Sequence, residues 1–342
     1  MHDRTIESKV RVIDRPMYTV DQKQFERFDQ RNNVFGRMLH DEHASFYKQS
    51  MYQAIQTILT QDREGYSRID FARILASWTV YDHFHKAFAH ERLSNGNNIM
   101  EIPDLQPYVI DDPGGMSTCL KETARFFGAA RVGISKIDRR WVYSLDMDGR
   151  SIKIPDEYHY AVVMAIAMDP GTIATSPAYT ASIETGRGYS RMASCIGCVA
   201  EFIRHLGYLA MPMGNDTALS IPLGIDAGLG ELGRLGLLIT PEYGPCVRLC
   251  KVFTNLPLVP DQPITFGVQE YCSHCLRCAN ACAPEAISKD AEASFKVVCP
   301  SNNPGIERWA VHHDRCYGFW IENGSDCSSC IAACPYTRNP EH

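Results

Sequence analysis

Eight cysteines near the C-terminus have the spacing to hold iron. "YCSHCLRCANACAPEAI", Tyr271 to Ile287, sets Cys272, Cys275, Cys278 and Cys282 in a C-x2-C-x2-C-x3-C run. Such a run gives three thiolates to one cubane iron–sulfur cluster and sends the fourth to another. Thiolates are the soft ligands that this iron takes. The motif ordinarily closes on Cys-Pro; here Ala283 stands before Pro284, which leaves the thiol spacing unchanged. A partner run, "CYGFWIENGSDCSSCIAACPY", supplies Cys316, Cys327, Cys330 and Cys334 and ends on Cys334-Pro335. The crossover rule assigns Cys272, Cys275, Cys278 and Cys334 to one cluster and Cys282, Cys316, Cys327 and Cys330 to the other. The competing readings are a disulfide framework and zinc. Disulfide-dense chains are small secreted domains, whereas this one has 342 residues. Zinc sites rarely use four cysteines at this spacing. Two [4Fe–4S] clusters are the expectation.

The elements that must position these thiols show in the hydrophobic pattern. "ASFYKQSMYQAIQTIL" and "RIDFARILASWTVYDHFHKAFAHE" have helical spacing of apolar residues. "STCLKETARFFGAA" reads as a helix capped by Ser117 or Thr118. "RVGISKID" and "RWVYSLDM" read as short strands, with a hairpin turn at Asp148-Gly149. "YHYAVVMAIAMD" is a near-continuous apolar run, hence a buried central strand. "SRMASCIGCVAEFIRHLGY" is an amphipathic helix ending at Gly207. "DTALSIPLGIDAGLGELGRLGLLITPEYG" reads as loop, short helix, Gly-rich turn and strand. An α+β architecture follows. Residues 1–45 are a charged, irregular segment that wraps a surface, 46–265 a catalytic core, and 266–342 a ferredoxin-like module.

Composition excludes some classes. The net charge of -6 argues against nucleic acid, which favours a basic surface. No apolar run approaches the ~20 residues that span a bilayer. "MHDRTIESKVRVIDRP" has no apolar signal core and no twin-arginine pair. The expectation is a cytoplasmic protein or a mature form whose leader was removed.

Other patterns carry less. Gly228, Gly230 and Gly233 form G-x-G-x-x-G, but a helical stretch precedes them and a strand follows, the reverse of a dinucleotide fingerprint. These glycines are better read as letting backbone approach a bulky ligand. His83, His85 and His90 share a predicted helix without a carboxylate or cysteine at ligand spacing, so they read as a polar face. His312 and His313 are adjacent and would not share a face. D-x-H-x-x-G, which would offer a lower cobalt ligand, is absent. Cys119, Cys195, Cys198, Cys246, Cys250 and Cys299 read as unreactive packing thiols.

The chain resembles the cobalamin-dependent reductive dehalogenases over roughly residues 115 to 338. The likeness rests on "ETARFFGAARVGISKID", "YHYAVVMAIAMD", "GYSRMASC", "IRHLGYLAMPMGNDTALSIPLGIDAGLGELGRLGLLITPEYGPCVRLCKVFTNLPLVPDQPITFGVQEYC" and "NPGIERWAVHHDRCYGFW". "RVIDRPMYTVDQKQFERFDQRNNVFGR", within residues 11 to 40, resembles the start of the mature respiratory enzymes. The resemblance implies a nitroreductase-like core carrying cobalamin, its cobalt free of a protein ligand below. It implies reductive dehalogenation of an organohalide, with electrons relayed by the two clusters to cobalt. It maps the family's catalytic tyrosine, asparagine and arginine onto Tyr189, Asn215 and Arg248. Tyr189 would protonate the carbon losing halide. Arg248 would stabilise the phenolate, since a nearby guanidinium favours the charged form. Asn215 would orient substrate or halide. Ser220 and the stretch of Gly228, Gly230, Gly233 and Gly236 would line the corrinoid or its nucleotide tail.

The chain departs from the family in being shorter between "RWVYSLDMDG" and "YHYAVV", in Cys246 where a basic residue is expected, and in lacking a Tat leader. The implied partners are an organohalide, an external electron donor and a small membrane-anchor subunit on the outer face of the cytoplasmic membrane. A homodimer is one assembly left open. The rival activity is epoxyqueuosine reduction on tRNA with the same cofactors; the rival class is a corrinoid carrier or electron-transfer protein.

Overall fold

Six consecutive fully buried residues, Ala161 to Ile166, have room only in the middle of a sheet covered on both faces. The computed structural model describes residues 10–61, 63–84 and 107–337. The first part holds β1 (Arg11–Val12), α1 (Val34–His40), α2 (Ile55–Leu59) and α3 (Arg68–Phe84). The middle holds α4 (Pro113–Phe126), β2 (Arg131–Lys136), β3 (Tyr160–Ala167), α5 (Pro170–Ile173), α6 (Tyr179–His205), β4 (Ala210–Met213) and α7 (Ser220–Asp226). β5 (Glu231–Leu232), β6 (Leu238–Ile239), β7 (Val247–Thr254) and β8 (Ile264–Thr265) follow. The cysteine-rich end has α8 (Val268–His274), α9 (Arg277–Asn280), α10 (His313–Asn323) and α11 (Ser329–Ala332). None of the described helices is long and apolar enough to cross a membrane.

The main sheet runs β2-β3-β7-β4, every neighbour antiparallel. Alternation of side chains splits β7 between two cores. Cys250 and Val252 join Val162 and Met164 against Cys195, Ile196 and Val199 of α6. Leu249 and Phe253 join Val163 against Leu223 and Ile225 of α7. Each large aliphatic side chain buried this way contributes about 1.5–3 kcal/mol. α6 stops where Gly207 takes φ +86°, the left-handed geometry that ends helices, with Arg204 and His205 in its last turn.

α3 lies against α6 at Gly186. A Cβ there would come within 2.1 Å of Ser77 Oγ and 2.8 Å of the Trp78 ring. The contact is pinned by Ser190 Oγ donating to the Ser77 carbonyl at 2.6 Å. The N-terminal segment touches both the sheet-bearing part and the cysteine-rich end. β1 pairs with β8, and Tyr18 and Phe25 set their edges on Trp141 at 5.3 and 5.6 Å. Arg37 binds Asp314 of α10. The cysteine-rich end shares its core with the sheet-bearing part, since Met168, Ile173 and Ile239 pack with Val268, Ile331 and Cys334.

Several elements differ from the pattern reading. The helix expected to start at Ser117 or Thr118 starts a turn earlier, capped by Asp112, whose carboxylate accepts from Gly114 N at 3.0 Å; Pro113 then fits its first turn. "RWVYSLDM" is a 3₁₀ turn at Arg139–Trp141 followed by isolated bridges, Val142 to Ala218 and Leu145 to Ser151. Of residues 44–59 only α2 is helical, and the strand expected after the glycines is the two-residue β6. β4 and β7 escape a periodicity reading because Arg248 and Lys251 interrupt the latter. His85 and His90 lie outside the described residues.

Gly186→Val should lower stability to urea by about 1–3 kcal/mol, because overpacking at Ser77 and Trp78 outweighs the ~1 kcal/mol helix preference lost to glycine. Equal or greater stability would show that this crossing is loosely packed.

Candidate active site

Three separate elements deliver the residues around Tyr189. α6 carries Tyr189 and Thr185, the loop after β4 carries Asn215, and β7 carries Arg248 on its α6 face. Asn215 Nδ2 donates to Tyr189 Oη at 2.6 Å. Arg248 sits over the Tyr189 ring, its Cζ 5.1 Å from the centroid, and donates from Nη2 to Thr185 Oγ1 at 3.1 Å. The trio picked out by sequence is therefore brought together. Its geometry refines the expected roles. Tyr189 Oη accepts from the amide, so its own hydrogen stays available to a third group. Arg248 acts on the ring face as a cation–π partner rather than by contact with Oη.

Sequence reading missed the aromatic wall. Trp78 stacks on Tyr189 at 4.8 Å and 25°, and Tyr81 meets it edge-on at 5.0 Å. Their three-residue spacing on one helix was the available signal. Among the described residues, Trp78 Nε1 and Arg248 Nε are buried without a hydrogen-bond partner. Buried donors are nearly always satisfied, so each of these has a bond left to give.

Lys251, on the opposite face of β7, was also missed. It is fully buried. Its Nζ donates to the carbonyls of Gly214 at 2.7 Å and Asp216 at 3.1 Å, and to Ser220 Oγ at 3.1 Å. Those carbonyls flank Asn215, so the ammonium holds the loop that aims the amide. Tyr143 Oη adds a bond to the Asn215 carbonyl at 3.1 Å. Burial pushes Lys251 down from 10.5 to about 8, against the pull of the Asp216 carboxylate.

The thiols gather in two sets. Cys272, Cys275, Cys278 and Cys334 line one cavity with Tyr271 and Tyr336. Cys330 lies within electrostatic reach of Cys316, Cys327 and Cys282, and burial raises its pKa well above 9. Cys330 also senses Cys278, so the two sets adjoin. Donors already point at the second set: Ala286 N lies 3.3 Å from Cys282 Sγ and Ser329 N 3.5 Å from Cys327 Sγ.

Of the residues expected at the corrinoid, Ser220 opens α7 and binds Lys251. The glycines face the protein's own chain. A Cβ on Gly228 would meet Gln262 O at 2.5 Å and one on Gly230 would meet Ile239 O at 2.0 Å. Gly233 packs on the Ile239 side chain and Gly236 on Val311. Self-packing is thus enough to require glycine at Gly228 and Gly230. Among the remaining cysteines, Cys195, Cys246, Cys250 and Cys299 are buried, as packing thiols should be, whereas Cys119 and Cys198 are exposed. Cys246 lies against the Met168 carbonyl, and burial raises it to about 12. Cys299, His312 and Asp314 bring ligand atoms within 4.8 Å of one another, but both Asp314 oxygens are taken by Arg37.

Comparison with known proteins agrees with this reading of the motifs. A model of the 4Fe-4S dicluster domain matches residues 271–337. The tetrachloroethene reductive dehalogenase of Desulfitobacterium hafniense is 38% identical over 266 residues, which is 65% of this chain and 48% of that protein. A solved reductive dehalogenase, for which a mechanism of B12-dependent dehalogenation was suggested, superposes with a TM-score of 0.75 at 23% identity. It covers 99% of this chain and 46% of its own. The epoxyqueuosine reductase of Listeria monocytogenes serovar 1/2a matches over 117 residues, 33% of this chain and 28% of that protein, at 32% identity. The chain spans about half the length of the curated dehalogenase, 48%. In sequence and in fold it is similar to reductive dehalogenases, with a mixed α/β core and a C-terminal 4Fe-4S dicluster domain.

The buried lysine gives a signed pH effect. Below about pH 8 folded and unfolded chains both hold the proton; between about 8 and 10.5 the unfolded chain binds more, so stability rises with pH. The stability difference between wild type and Lys251→Met should therefore rise over that window, by at most about 1.4 kcal/mol per pH unit. Urea unfolding at several pH values measures it, and a flat difference would mean that Lys251 keeps an ordinary pKa.

Proposed function

We propose that this chain is a reductive dehalogenase, removing halide from an organohalide by two-electron reduction at a cobalamin cobalt, with two [4Fe–4S] clusters relaying the electrons. The observation that carries the reading is the convergence of Asn215 and Arg248 on Tyr189 in a chain similar to dehalogenases. In this reading residues 46–265 are the nitroreductase-like cobalamin-binding core, 266–342 the ferredoxin-like module, and 1–45 a wrapping segment. An external electron donor, a small anchor subunit and a place on the outer face of the cytoplasmic membrane belong to the same proposal.

The chemistry of the donor sets fits both cofactors. Cys272, Cys275, Cys278 and Cys334 would hold one cluster and Cys282, Cys316, Cys327 and Cys330 the other, each set offering four soft thiolates. The partnerless donors Trp78 Nε1 and Arg248 Nε, on the α6 side of β7, suit a ring rimmed by amide acceptors. The self-packed glycines favour a structural part for the Gly228–Gly236 stretch. Cobalamin, when bound, supplies a low-valent metal able to reduce a carbon–halogen bond.

The chain's own part is to hold and move a proton and to keep water out. Tyr189 holds a proton on Oη for the carbon that loses halide. Asn215 accompanies the transfer by donating to the same oxygen, and Arg248 offsets the charge left on the ring. Trp78 and Tyr81 wall the site with apolar surface, which strengthens each of these interactions.

Anaerobic reconstitution with iron, sulfide and cobalamin, followed by halide release from chlorinated and brominated compounds, tests the proposal. Conversion of epoxyqueuosine-modified tRNA without halide release would replace it by the rival activity. Tyr189→Phe should keep its metal and corrinoid content and lose dehalogenation by about 10²–10⁴-fold; unimpaired turnover would remove Tyr189 from the mechanism. Cys334→Ser and Cys282→Ser should each cost about half of the iron and sulfide if each serves a different cluster, whereas loss of iron from neither would break the ligand assignment.

A further inference from the structure

Arg234, between β5 and β6, is fully buried, and among the described residues no carboxylate lies within ion-pair distance of it. Its N–H groups are met by backbone carbonyls. Nε and Nη2 donate to Cys272 O at 3.0 and 2.7 Å, and Nη2 reaches Ser273 O at 3.4 Å. Nη1 donates to Ser288 O at 2.9 Å and Asp290 O at 2.7 Å. The Trp309 ring covers the group, 4.8 Å from Cζ, while its own Nε1 donates to the same Asp290 carbonyl at 3.1 Å.

Carbonyls satisfy the hydrogens but do not neutralise the charge, and an uncompensated buried charge is costly. Lys251 meets the same difficulty and can relieve it by losing a proton. A guanidinium cannot. Arg234 is a permanent cation and calls for a permanent anion. Glu231 is near, but its Oε1 accepts from Phe266 N at 2.6 Å and Val268 N at 3.3 Å. Those two donors hold it away from the guanidinium. What remains is the thiolate set beside the Cys272 carbonyl; the charge of Arg234 reaches both Cys272 and Cys278.

We propose that Arg234 is the fixed counter-charge of the [4Fe–4S] cluster held by Cys272, Cys275, Cys278 and Cys334, raising its reduction potential while its fork on the Cys272 carbonyl positions that ligand. The inference rests on the cluster reading above. When the cluster is reduced, one electron arrives from an external reductant, no bond forms or breaks, and the cluster becomes one charge more negative. A fixed cation beside it in a low-dielectric site stabilises that state most.

A dithionite titration of the reconstituted full chain, followed by electron paramagnetic resonance, reads this directly. Arg234→Gln keeps amide donors and drops the charge. In one cluster alone it should lower the reduced-to-oxidised ratio at fixed potential at least tenfold, about 59 mV for a one-electron couple. Arg234→Lys keeps the charge and should stay near wild type. Unmoved potentials in Arg234→Gln with both signals present overturn the proposal. Should Arg234→Gln not fold, Arg234→Lys decides by pH, since an ammonium can lose its proton and a guanidinium cannot: the potential of that one cluster should fall below the wild-type value as pH rises through the lysine range, and potentials that run parallel to wild type at every pH overturn the proposal. A wild type showing one cluster, or Cys278→Ser retaining both signals, would instead sink the ligand assignment on which the proposal stands.

Discussion

The ammonium of Lys251 under the Gly214–Asp216 loop is the constraint on which the Tyr189 site depends. A buried ammonium persists only where several acceptors surround it. Here two loop carbonyls and a hydroxyl do so. Moving the loop would strand the charge, so Asn215 is held at the position from which it meets Tyr189 Oη. The same strand supplies Arg248 from its other face. β7 thus serves the site from both sides, and its pairing with β3 sets the register, with Arg248 opposite Ile166 and Lys251 opposite Val163.

The cysteine-rich end follows a similar logic with a different cation. Arg234 gathers carbonyls from the first cysteine run and from Ser288 and Asp290, and Trp309 closes over it. Lysine near Asn215 can adjust its protonation; arginine near the thiols cannot. Met168 and Ile173, which follow β3, pack into the same core as Cys272 and Cys334. The thiol sets and the sheet are therefore parts of one packed body, and a shift at either is felt by the other through close-packed side chains.

Legibility in the sequence tracked how local each signal was. The cysteine runs could be read because ligand spacing is a property of a few adjacent residues. β3 could be read because six buried positions in a row exclude a solvent-facing element. β7 could not, because Arg248 and Lys251 look like surface residues until the partners of each are known. The cap of α4 was misplaced because Asp112, Ser117 and Thr118 are all competent caps, and Pro113 decides among them only once the helix start is seen. The glycines from Gly228 to Gly236 suggested a ligand because a Cβ-free surface reads the same whether cofactor or backbone lies against it.

By itself the sequence determined the ligand-type thiols and their two runs, the buried strand, the second part of α6 from Ser190 onward and the resemblance that singled out Tyr189, Asn215 and Arg248. Only the tertiary structure decided that Asn215 donates to Tyr189, that Arg248 lies on the ring face, that Trp78 and Tyr81 wall the site, and that Lys251 and Arg234 are buried on carbonyls. The physical reason is range. Spacing along a chain encodes contacts a few residues apart, whereas these contacts join residues from 26 to 59 positions apart, and the aromatic wall joins Trp78 to Tyr189 across two helices. Nothing local distinguishes a buried cation from a solvated one until the packing around it is formed.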